Sequence, residues 1–464
     1  MPTHSLALRV DGPARQAPAK PRLRGPAAAV APARPVAILD GPLSLAQAAQ
    51  VAEGAARIEI GPAAWARIAA AQARLAGAIA DRRVVYGVTT GFGPLADRLV
   101  DPSDIERLQT NLIHHLASGV GRPLGWSAAR AGALARLCSI ACGYSGASDA
   151  LVRLLTALLN SRFAPLTPEK GTVGASGDLT PLSHVALALM GRGGFIDAEG
   201  RAVDDARVFA ELGEPPLTLA ARDGLALVNG TSVMTGVAVL NHGRAERLAR
   251  WGEAVTVAIA ELLGGRLEAW RAEFAEARPH AGQRAAAAAL RARAAGSERL
   301  DARPAATRRL DAPARAERAL QDANTLRCAP QILGAAGDAI AWHGETVACE
   351  LNAATDNPIF VDGAAPALHG GNFMGFHVAF ASDALKNATL TLAVLAERQI
   401  ARVTDERLNG GLPAFLHRGP AGLNSGLMGA QVTASALVAE MRVSAAPGSV
   451  QSISTNGANQ DVVS

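Results

Sequence analysis

The spacing of apolar and polar residues along this chain predicts a protein built almost entirely of helices. In several segments apolar residues recur every three or four positions, which is the period of one face of an α-helix. These segments are residues 63–81, 104–118, 127–142, 148–161 and 181–190, followed by longer ones at 237–263, 382–408 and 425–442. A turn-rich patch at 191–200 predicts a small hairpin. The predicted fold class is therefore all-α, with a long-helix bundle as its core.

Two segments lack this periodicity. Residues 1–37 are rich in Pro, Ala and Arg and predict a disordered tail, without the apolar region of a secretory signal. Residues 296–318 are charged and rich in Ala and Arg, and they predict a mobile connection. We place domain boundaries at 38–228 for an N-terminal domain and at 229–464 for the helical bundle.

Composition narrows the classes of function. Hydrophobic residues make up 49% of the 464 residues and aromatic residues only 4%, which favours helices over sheets. The formal net charge is +4, but residues 1–37 hold six Lys or Arg and one acid, so the rest has 39 basic and 40 acidic residues. A nearly neutral body argues against nucleic-acid binding. No apolar stretch of about 18 uninterrupted residues is present, which argues against a membrane span.

The four cysteines are too few for a disulfide framework in a chain of this length. Cys138 and Cys142 lie one helical turn apart, but no His or acid completes a metal-binding set around them. Core thiols in a reducing compartment are the better interpretation. We therefore expect a cytoplasmic protein without a metal.

The string Gly-Thr-Val-Gly-Ala-Ser-Gly-Asp-Leu-Thr-Pro-Leu at 171–182 carries the strongest chemical signal. Its tripeptide Ala175-Ser176-Gly177 can close into a 4-methylideneimidazol-5-one (MIO) ring. The nitrogen of Gly177 attacks the carbonyl of Ala175, and loss of two waters turns Ser176 into a dehydroalanine. Such a ring is a strong electrophile, which ordinary side chains do not supply.

Further unusual strings lie far apart in the sequence. They are Tyr-Gly-Val-Thr-Thr-Gly-Phe-Gly at 86–93, Asn-Leu-Ile-His-His-Leu-Ala-Ser-Gly at 111–119, Ala-Leu-Val-Asn-Gly-Thr-Ser at 226–232, Leu-Arg-Cys-Ala-Pro-Gln at 326–331, Glu-Leu-Asn-Ala-Ala-Thr-Asp-Asn-Pro at 350–358 and Ser-Thr-Asn-Gly-Ala-Asn-Gln-Asp at 454–461. Together with the MIO string they make the chain resemble the aromatic amino acid lyase family, and bacterial tyrosine ammonia-lyases in particular. The resemblance runs from about residue 37 to residue 464.

The resemblance implies a set of catalytic residues. Ala175, Ser176 and Gly177 would form the MIO ring, with no external cofactor, and the methylidene carbon from Ser176 would capture the substrate amine. Tyr86 matches the family's base for the β-proton. A phenol serves as a base only where a positive field stabilises its anion, which helix N-termini can supply. Asn229 matches an asparagine that bonds near the ring and the substrate.

The resemblance also implies substrate-binding residues. Arg327 would clamp the substrate carboxylate with its guanidinium fork. The pair His115-Leu116 matches the family's pattern for tyrosine, because an imidazole can hydrogen-bond a phenol hydroxyl. We expect the adjacent His114 to be structural. Polar side chains at Asn456, Asn459 and Gln460 match a cluster that lines the pocket.

Two departures limit what the resemblance implies. The family's usual string Gln-Asp-x-Tyr-Ser-Leu-Arg-Cys reads Gln-Asp-Ala-Asn-Thr-Leu-Arg-Cys at 321–328, so Asn324 stands where a second catalytic tyrosine is expected. An amide cannot act as a phenol acid or base. The family also continues beyond the position of Ser464, so we expect exposed apolar helix faces near that end.

The prediction is an MIO-dependent ammonia-lyase that converts L-tyrosine to trans-p-coumarate and ammonia. The alternatives are a phenylalanine or histidine ammonia-lyase, an aminomutase, or a weakly active or inactive homologue, the last because of Asn324. The resemblance implies a homotetramer whose active sites combine more than one subunit. The expected partner is a small aromatic amino acid, with no nucleic acid and no membrane.

Overall fold

A long helix of 31 residues, Ser232–Leu262, runs through the middle of the protein, and other long helices pack along it. The structure is a computed structural model that describes residues 34–304, 306, 320–420, 422–456 and 459–464. Most of the predicted tail, residues 1–33, and most of the predicted mobile connection, residues 305 and 307–318, lie outside the described residues.

Helices account for most of the described chain. In chain order they are α1 Leu45–Ala52, α2 Pro62–Ala80, α3 Ile105–Leu116, α4 Trp126–Ala141, α5 Asp149–Asn160, α6 Leu179–Leu189, α7 Asp205–Leu212, α8 Asp223–Val228, α9 Ser232–Leu262, α10 Ala272–Ala277, α11 Ala281–Arg293, α12 Asn324–Arg327, α13 Ala329–Leu351, α14 Phe376–Thr404 and α15 Met428–Ser444. The all-α prediction is confirmed.

Short strands form four small sheets within the described residues. The strands are β1 Val36–Leu39, β2 Arg57–Ile60, β3 Val120–Pro123, β4 Ala164–Pro165, β5 Pro168–Lys170, β6 Phe195–Ile196, β7 Ala202–Val203, β8 Ile359–Phe360 and β9 Ala367–Leu368. The pair β1 and β2 is parallel, and the other pairs are antiparallel. The hairpin predicted near 191–200 is the β6–β7 pair, extended by β4 into a three-stranded sheet.

Local signals explain several helix boundaries. Ser44 begins α1 with a capping box, in which its hydroxyl accepts from the Gln47 N–H and the Gln47 side chain accepts from the Ser44 N–H. Ser148 caps α5 in the same way by accepting from the N–H of Leu151. Pro62 occupies the first turn of α2, where no N–H is needed. The bounds of α2 and α5 lie within one residue of the predicted ones, whereas α1 was not predicted.

The bundle has two main apolar clusters. One joins α1, α4, α5, α6 and α8 in the N-terminal half, and the other joins α9, α11, α13 and α14. Helix α9 belongs to both regions, because its first half packs on α4 and its second half on α13 and α14. A single long helix thus connects the two halves of the protein.

The predicted domain boundaries remain a prediction. Residues Pro35–Ser464 group as one compact unit, and the predicted boundary between 228 and 229 falls between α8 and α9. Strand β1 already begins at Val36, within the predicted tail.

Three further observations bear on the sequence predictions. Cys138 is buried and Cys142 half-buried, both as free thiols, and burial raises the pKa of the Cys138 thiol. In the described chain, α14 is long and apolar enough to cross a membrane by length and composition alone, and here it packs against α9, α13 and α15. Apolar side chains are exposed on α15, among them Val432 and Val443.

Candidate active site

The tripeptide Ala175-Ser176-Gly177 folds back on itself in a tight turn. Both Gly174 and Ala175 form β-bridges with Gly177, so the two ends of the tripeptide lie side by side. Gly177 has a φ of +71°, and a Cβ there would lie 2.2 Å from the carbonyl oxygen of Gly230. Only glycine fits this position, because it combines the left-handed conformation with the close approach of another backbone. The turn holds together the two residues whose bond would close the ring.

Three long helices begin around this turn. Helix α6 starts at Leu179 directly after the tripeptide, and α9 starts at Ser232, next to Gly230. The start of α14 lies against the start of α9, since a Cβ on Gly375 would lie 2.5 Å from the sulfur of Met234. Helix N-termini carry partial positive charge. Their convergence gives the turn the positive field that an anionic base and electron-rich intermediates require.

Asp178 joins the turn to the start of α9. Its N–H donates to the carbonyl oxygen of Gly230 at 2.7 Å, and its carboxylate accepts from the N–H of Met234 at 2.8 Å. The pKa of Asp178 is raised to about 6, chiefly by burial and also by the nearby Glu350 carboxylate, against the lowering effect of the backbone N–H groups. The residue after the tripeptide therefore anchors it in a buried setting.

Asn229 lies beside the turn with an unsatisfied oxygen. The residue is 2% exposed, and its Oδ1 is buried without a hydrogen-bond partner among the described residues. Its backbone carbonyl accepts a hydrogen bond from Arg136, which fixes the backbone of the residue and leaves the side-chain amide oxygen available as an acceptor. A buried acceptor without a partner costs free energy unless a donor arrives. Asn229 is thus ready to accept a hydrogen bond from a ring or a substrate at this place.

Polar residues of the segment 350–358 form hydrogen bonds and ion pairs near Asn229. Glu350 accepts from the hydroxyl of Thr231 at 2.5 Å, and burial raises the pKa of Glu350. Asp356 forms a buried, bidentate ion pair with Arg222, with N–O distances of 2.9 and 2.7 Å. Burying charges is costly unless they are paired and hydrogen-bonded. This polar layer fixes the backbone that carries Asn229.

Tyr86 is half-buried in the loop after α2. Its hydroxyl accepts from the N–H of Gly93 at 2.9 Å, and its N–H donates to the Nε2 of His369 at 3.1 Å. Its ring meets that of Phe92 edge-on, with centroids 6.2 Å apart. Gln109 of α3 ties this loop to α8, because its amide donates to Gly87 and accepts from Leu225. The loop of Tyr86 and the helix leading to Asn229 are therefore connected.

The C-terminal end of α3 carries His115 and Leu116. His115 is exposed, with its Nδ1 3.2 Å from the carbonyl oxygen of Asn111, while Leu116 packs against the N-terminal apolar cluster. Just beyond, the backbone of Gly119 lies close to Gly171 at the start of the MIO string. His114 lies 3.0 Å from an Arg192 nitrogen, in agreement with a structural role.

The predicted polar cluster near the C-terminus folds as a tight loop. The Gln460 amide oxygen accepts from Asn456 at 3.0 Å and from the Thr455 hydroxyl at 2.8 Å. Asn459 donates to the carbonyl oxygen of Gly93 at 3.3 Å. Since the N–H of the same Gly93 donates to Tyr86, the loop lies at the Tyr86 end of the protein.

Arg327 and Asn324 lie at the opposite end, on the four-residue helix α12. The Nε of Arg327 donates to the Oδ1 of Asn324 at 3.2 Å. Arg327 also lines a cavity of about 290 Å³, whose other walls include Arg266, Phe274 and Gln331. None of the residues of the MIO turn lines this cavity.

The separation follows from helix length. Gln399 connects α12 to Thr256 of α9, by donating to the Thr325 carbonyl at 3.1 Å and to the Thr256 hydroxyl at 2.8 Å. From Ser232 to Thr256, α9 rises by about 36 Å at about 1.5 Å per residue. From Ala329 to Glu350, α13 rises by about 32 Å at the same spacing. Within one chain, α12 and the MIO turn are therefore separated by a distance on the order of 30 Å.

The residues around the turn fit an MIO ring. The tripeptide is held with Ala175 beside Gly177, Gly177 has no room for a side chain, and the orphaned Oδ1 of Asn229 lies buried nearby. Asn229 and the backbone at Gly230 would hold the ring from one side.

Comparison with known proteins decides the family. The family model described as aromatic amino acid lyase matches residues 43–464 of this chain. The chain belongs to the aromatic amino acid lyase family.

Relatives within the family differ in their reactions. The chain is 57% identical to a tyrosine ammonia-lyase from Cereibacter sphaeroides over 94% of this chain and 84% of that protein. It is 42% identical to a histidine ammonia-lyase from Geobacillus thermodenitrificans over 83% of this chain and 74% of that protein. A solved tyrosine aminomutase from Streptomyces globisporus is 41% identical, with a TM-score of 0.87, and covers 93% of this chain and 82% of that one.

Several residues of the site in this lyase were not predicted individually. Asp178 and Glu350 lie inside strings that the sequence singled out, but neither string indicated that their carboxyls would meet near the start of α9. Arg136 and Arg222 carry no sequence signal that separates them from surface arginines. His369 sits in a Leu-His-Gly-Gly-Asn turn, and this unusual turn was the available signal for it.

Proposed function

We propose that this lyase removes ammonia from L-tyrosine and releases trans-p-coumarate, using an MIO ring formed from Ala175, Ser176 and Gly177. The observation that carries the proposal is the tight tripeptide turn at the meeting point of three helix N-termini. The choice of tyrosine is supported by 57% identity to a tyrosine ammonia-lyase and by the pair His115-Leu116.

Each residue has a defined task in this proposal. The ring, when formed, supplies an electrophilic carbon for the substrate amine. Tyr86 takes the β-proton, with the positive field of the helix N-termini favouring its anionic form. Asn229 offers its amide oxygen as a hydrogen-bond acceptor beside the turn.

The substrate is held at its two ends. Arg327 binds the substrate carboxylate through its guanidinium. His115 hydrogen-bonds the phenol hydroxyl, and Leu116 packs beside the aromatic ring of the substrate. The polar side chains of Asn456, Asn459 and Gln460 complete the pocket wall. A site that bonds the hydroxyl disfavours phenylalanine, because its polar group would be left without a partner.

The proposal includes a homotetramer. Because α12, which carries Arg327 and Asn324, lies on the order of 30 Å from the MIO turn of its own chain, a complete site needs Arg327 from another copy. Exposed apolar side chains on the long helices, such as Trp251 and Phe380, support burial between copies. We propose a cytoplasmic location for this assembly, with no nucleic-acid or membrane partner.

A second candidate function rests on Asn324. Without the second tyrosine, one proton-transfer role is vacant, so a weakly active or inactive homologue, or an altered reaction such as that of an aminomutase, is the alternative.

Two measurements test the proposal in sequence. Intact mass should show the loss of two waters, and an unmodified mass would remove this mechanism. The purified protein is then mixed separately with tyrosine, phenylalanine and histidine, and the ultraviolet absorbance of the unsaturated acid is followed. We expect tyrosine to react fastest; equal or faster turnover of phenylalanine would refute the role of His115. Formation of a β-amino acid, detected by chromatography, would favour the aminomutase.

A further inference from the structure

Helix α12 carries Asn324 and Arg327 but has only four residues. A single helical turn is not stable in isolation, because the cost of ordering its backbone exceeds what its one or two hydrogen bonds return. Its position must therefore be set by contacts with the rest of the protein.

Two buried side chains donate hydrogen bonds to the backbone of α12. The indole Nε1 of Trp270 donates to the carbonyl oxygen of Leu326 at 2.8 Å. The amide of Gln399, on α14, donates to the carbonyl oxygen of Thr325 at 3.1 Å. Trp270 and Gln399 are each 1% exposed. Neighbouring carbonyl oxygens of α12 are thus each bound by a side chain that has no freedom to move.

The two holding residues are themselves anchored. Gln399 also donates to the Thr256 hydroxyl of α9 at 2.8 Å, which places its amide between two long helices. Just before α12, the carboxylate of Asp322 accepts from the N–H of Arg266 at 2.6 Å, in the segment that leads to Trp270. The short helix is therefore tied to the bundle at its start and along its length.

The functional side chains of α12 lie on its less buried part. Asn324 is exposed and Arg327 is half-buried, whereas Leu326 between them is buried. The contact between Arg327 and Asn324 uses only the Nε of the guanidinium, so both Nη nitrogens lie outside it. A bidentate carboxylate needs two nitrogens in a fixed orientation. The backbone of α12 determines where that pair of nitrogens is presented.

We propose that Trp270 and Gln399 are positioning residues for Arg327 and thereby set the affinity of the site for a carboxylate ligand. This inference rests on the proposed role of Arg327 as the carboxylate clamp. Neither residue touches the substrate; each acts through a carbonyl oxygen of α12. Loss of either bond leaves a buried carbonyl without its donor and lets α12 shift.

The test compares Trp270→Phe and Gln399→Met with a matched control. Trp126→Phe removes the same kind of bond elsewhere, because the Trp126 indole donates to the Arg162 carbonyl at 2.8 Å, far from α12. Binding of trans-p-coumarate and of tyramine is measured by calorimetry on the full chain. Tyramine keeps the phenol and the amine but lacks the carboxylate. Intact mass and sedimentation verify that ring and assembly match the wild type.

We expect Trp270→Phe and Gln399→Met each to weaken p-coumarate binding by about tenfold and to leave tyramine binding unchanged. Trp126→Phe should leave the binding of both ligands unchanged. In an Arg327→Gln background, Trp270→Phe should have no further effect, because the carboxylate partner is already gone. Equal weakening of both ligands, no weakening of either, or a full additional loss in the Arg327→Gln background would overturn the inference.

The outcome is separable from that of the proposed function. Binding is measured without turnover. A wild type that binds p-coumarate but does not deaminate tyrosine therefore counts against the proposed function, while the positioning role of Trp270 and Gln399 is still tested by the binding data. A wild type that does not bind p-coumarate counts against both.

Discussion

The two ends of α9 and α13 hold their functional residues in different ways. At the first end, the tripeptide turn, Asp178 and Asn229 lie among buried backbone and ion pairs, with hydrogen bonds from several helices. At the other end, Arg327 and Asn324 sit on a four-residue helix, and their side chains bond to one another. One end is a turn held by buried hydrogen bonds from several helices, and the other is a short helix whose polar side chains are less buried.

This difference follows from what each end must do. A backbone cyclisation joins two atoms of one chain, so the turn of that chain must hold these atoms close together. A carboxylate clamp needs only a fixed position relative to the substrate, and another copy can supply it. In the proposed function, the chain therefore forms the ring from its own residues, and Arg327 of another copy binds the substrate carboxylate.

The largest effect is expected from breaking the first end. Ser176→Ala removes the hydroxyl whose loss creates the electrophile, so the two-water mass deficit should vanish and turnover should fall by a factor on the order of 10³ or more. The control Ser183→Ala removes a buried hydroxyl that donates to the Thr180 carbonyl of its own helix, at 2.6 Å. A Ser176→Ala protein that keeps its lyase rate would show that the turn is not the reaction centre.

The buried setting of the first end gives a pH prediction. Since burial raises the pKa of Asp178 to about 6, the protonated form is favoured in the folded state. The stabilisation from protonation is complete below the unfolded pKa of about 4 and is lost as the pH rises through 6. Relative to Asp178→Asn, the wild type should lose at most about 3 kcal/mol of unfolding free energy between pH 4 and pH 7.5.

Urea unfolding of both proteins at the two pH values measures this difference. Titrating groups elsewhere are common to both and cancel. An unfolding free energy difference that does not change with pH would mean that Asp178 stays ionised throughout.

At the second end, Asn324→Tyr restores the phenol that the family usually has. If the missing acid-base group limits turnover, the lyase rate should rise by about 10². Steady-state absorbance assays with tyrosine measure the rate, and Asn324→Phe is the control for ring size without the hydroxyl. An unchanged rate for Asn324→Tyr would indicate a different reaction, and an equal rise for Asn324→Phe would assign the effect to packing.

A smaller effect is expected for Arg327→Gln. Loss of the charged clamp should raise KM for tyrosine by roughly 10- to 50-fold, which corresponds to about 1.4–2.3 kcal/mol and lies in the lower part of the range for hydrogen bonds to charged groups. The exposed Arg271, which pairs with Glu273, provides the control Arg271→Gln. A KM equal to that of the wild type would remove Arg327 from the binding site, whatever its effect on stability.

The sequence predicted the helices better than it predicted their contacts. Periodicity located α2, α3 and α5 to within two residues, because each of these helices buries one apolar face. It located α4 equally well, although this helix is buried on all sides from Ala129 to Ala141. It placed the start of α9 at residue 237 and of α14 at 382, whereas they begin at Ser232 and Phe376. The first turns of both helices are fixed by tertiary contacts at the site, such as the bond from Met234 to Asp178.

The sequence strings identified the individual site residues, but they did not give the distances between these residues. Tyr86 and Asn459 both hydrogen-bond to the backbone of Gly93, although 373 positions separate the two in the chain. No local pattern predicts this contact. The length of α9 separates Arg327 from Ser176. This separation becomes known only when the structure shows that α9 is one continuous helix. Helix α13, Ala329–Leu351, was also not located, because small residues on several of its sides weaken the apolar period.

In the proposed assembly, a complete site combines the turn of one copy with Arg327 of another. Ser176→Ala and Arg327→Gln are expressed separately and together in the same cells, and turnover of tyrosine is measured for each preparation at low substrate. Each variant alone should be nearly inactive under these conditions. Mixed assemblies should recover about a quarter of the wild-type activity, because random association pairs an intact turn with an intact Arg327 in that share of sites. Mixed assemblies that form, as shown by differently tagged copies, and yet remain inactive would contradict the claim.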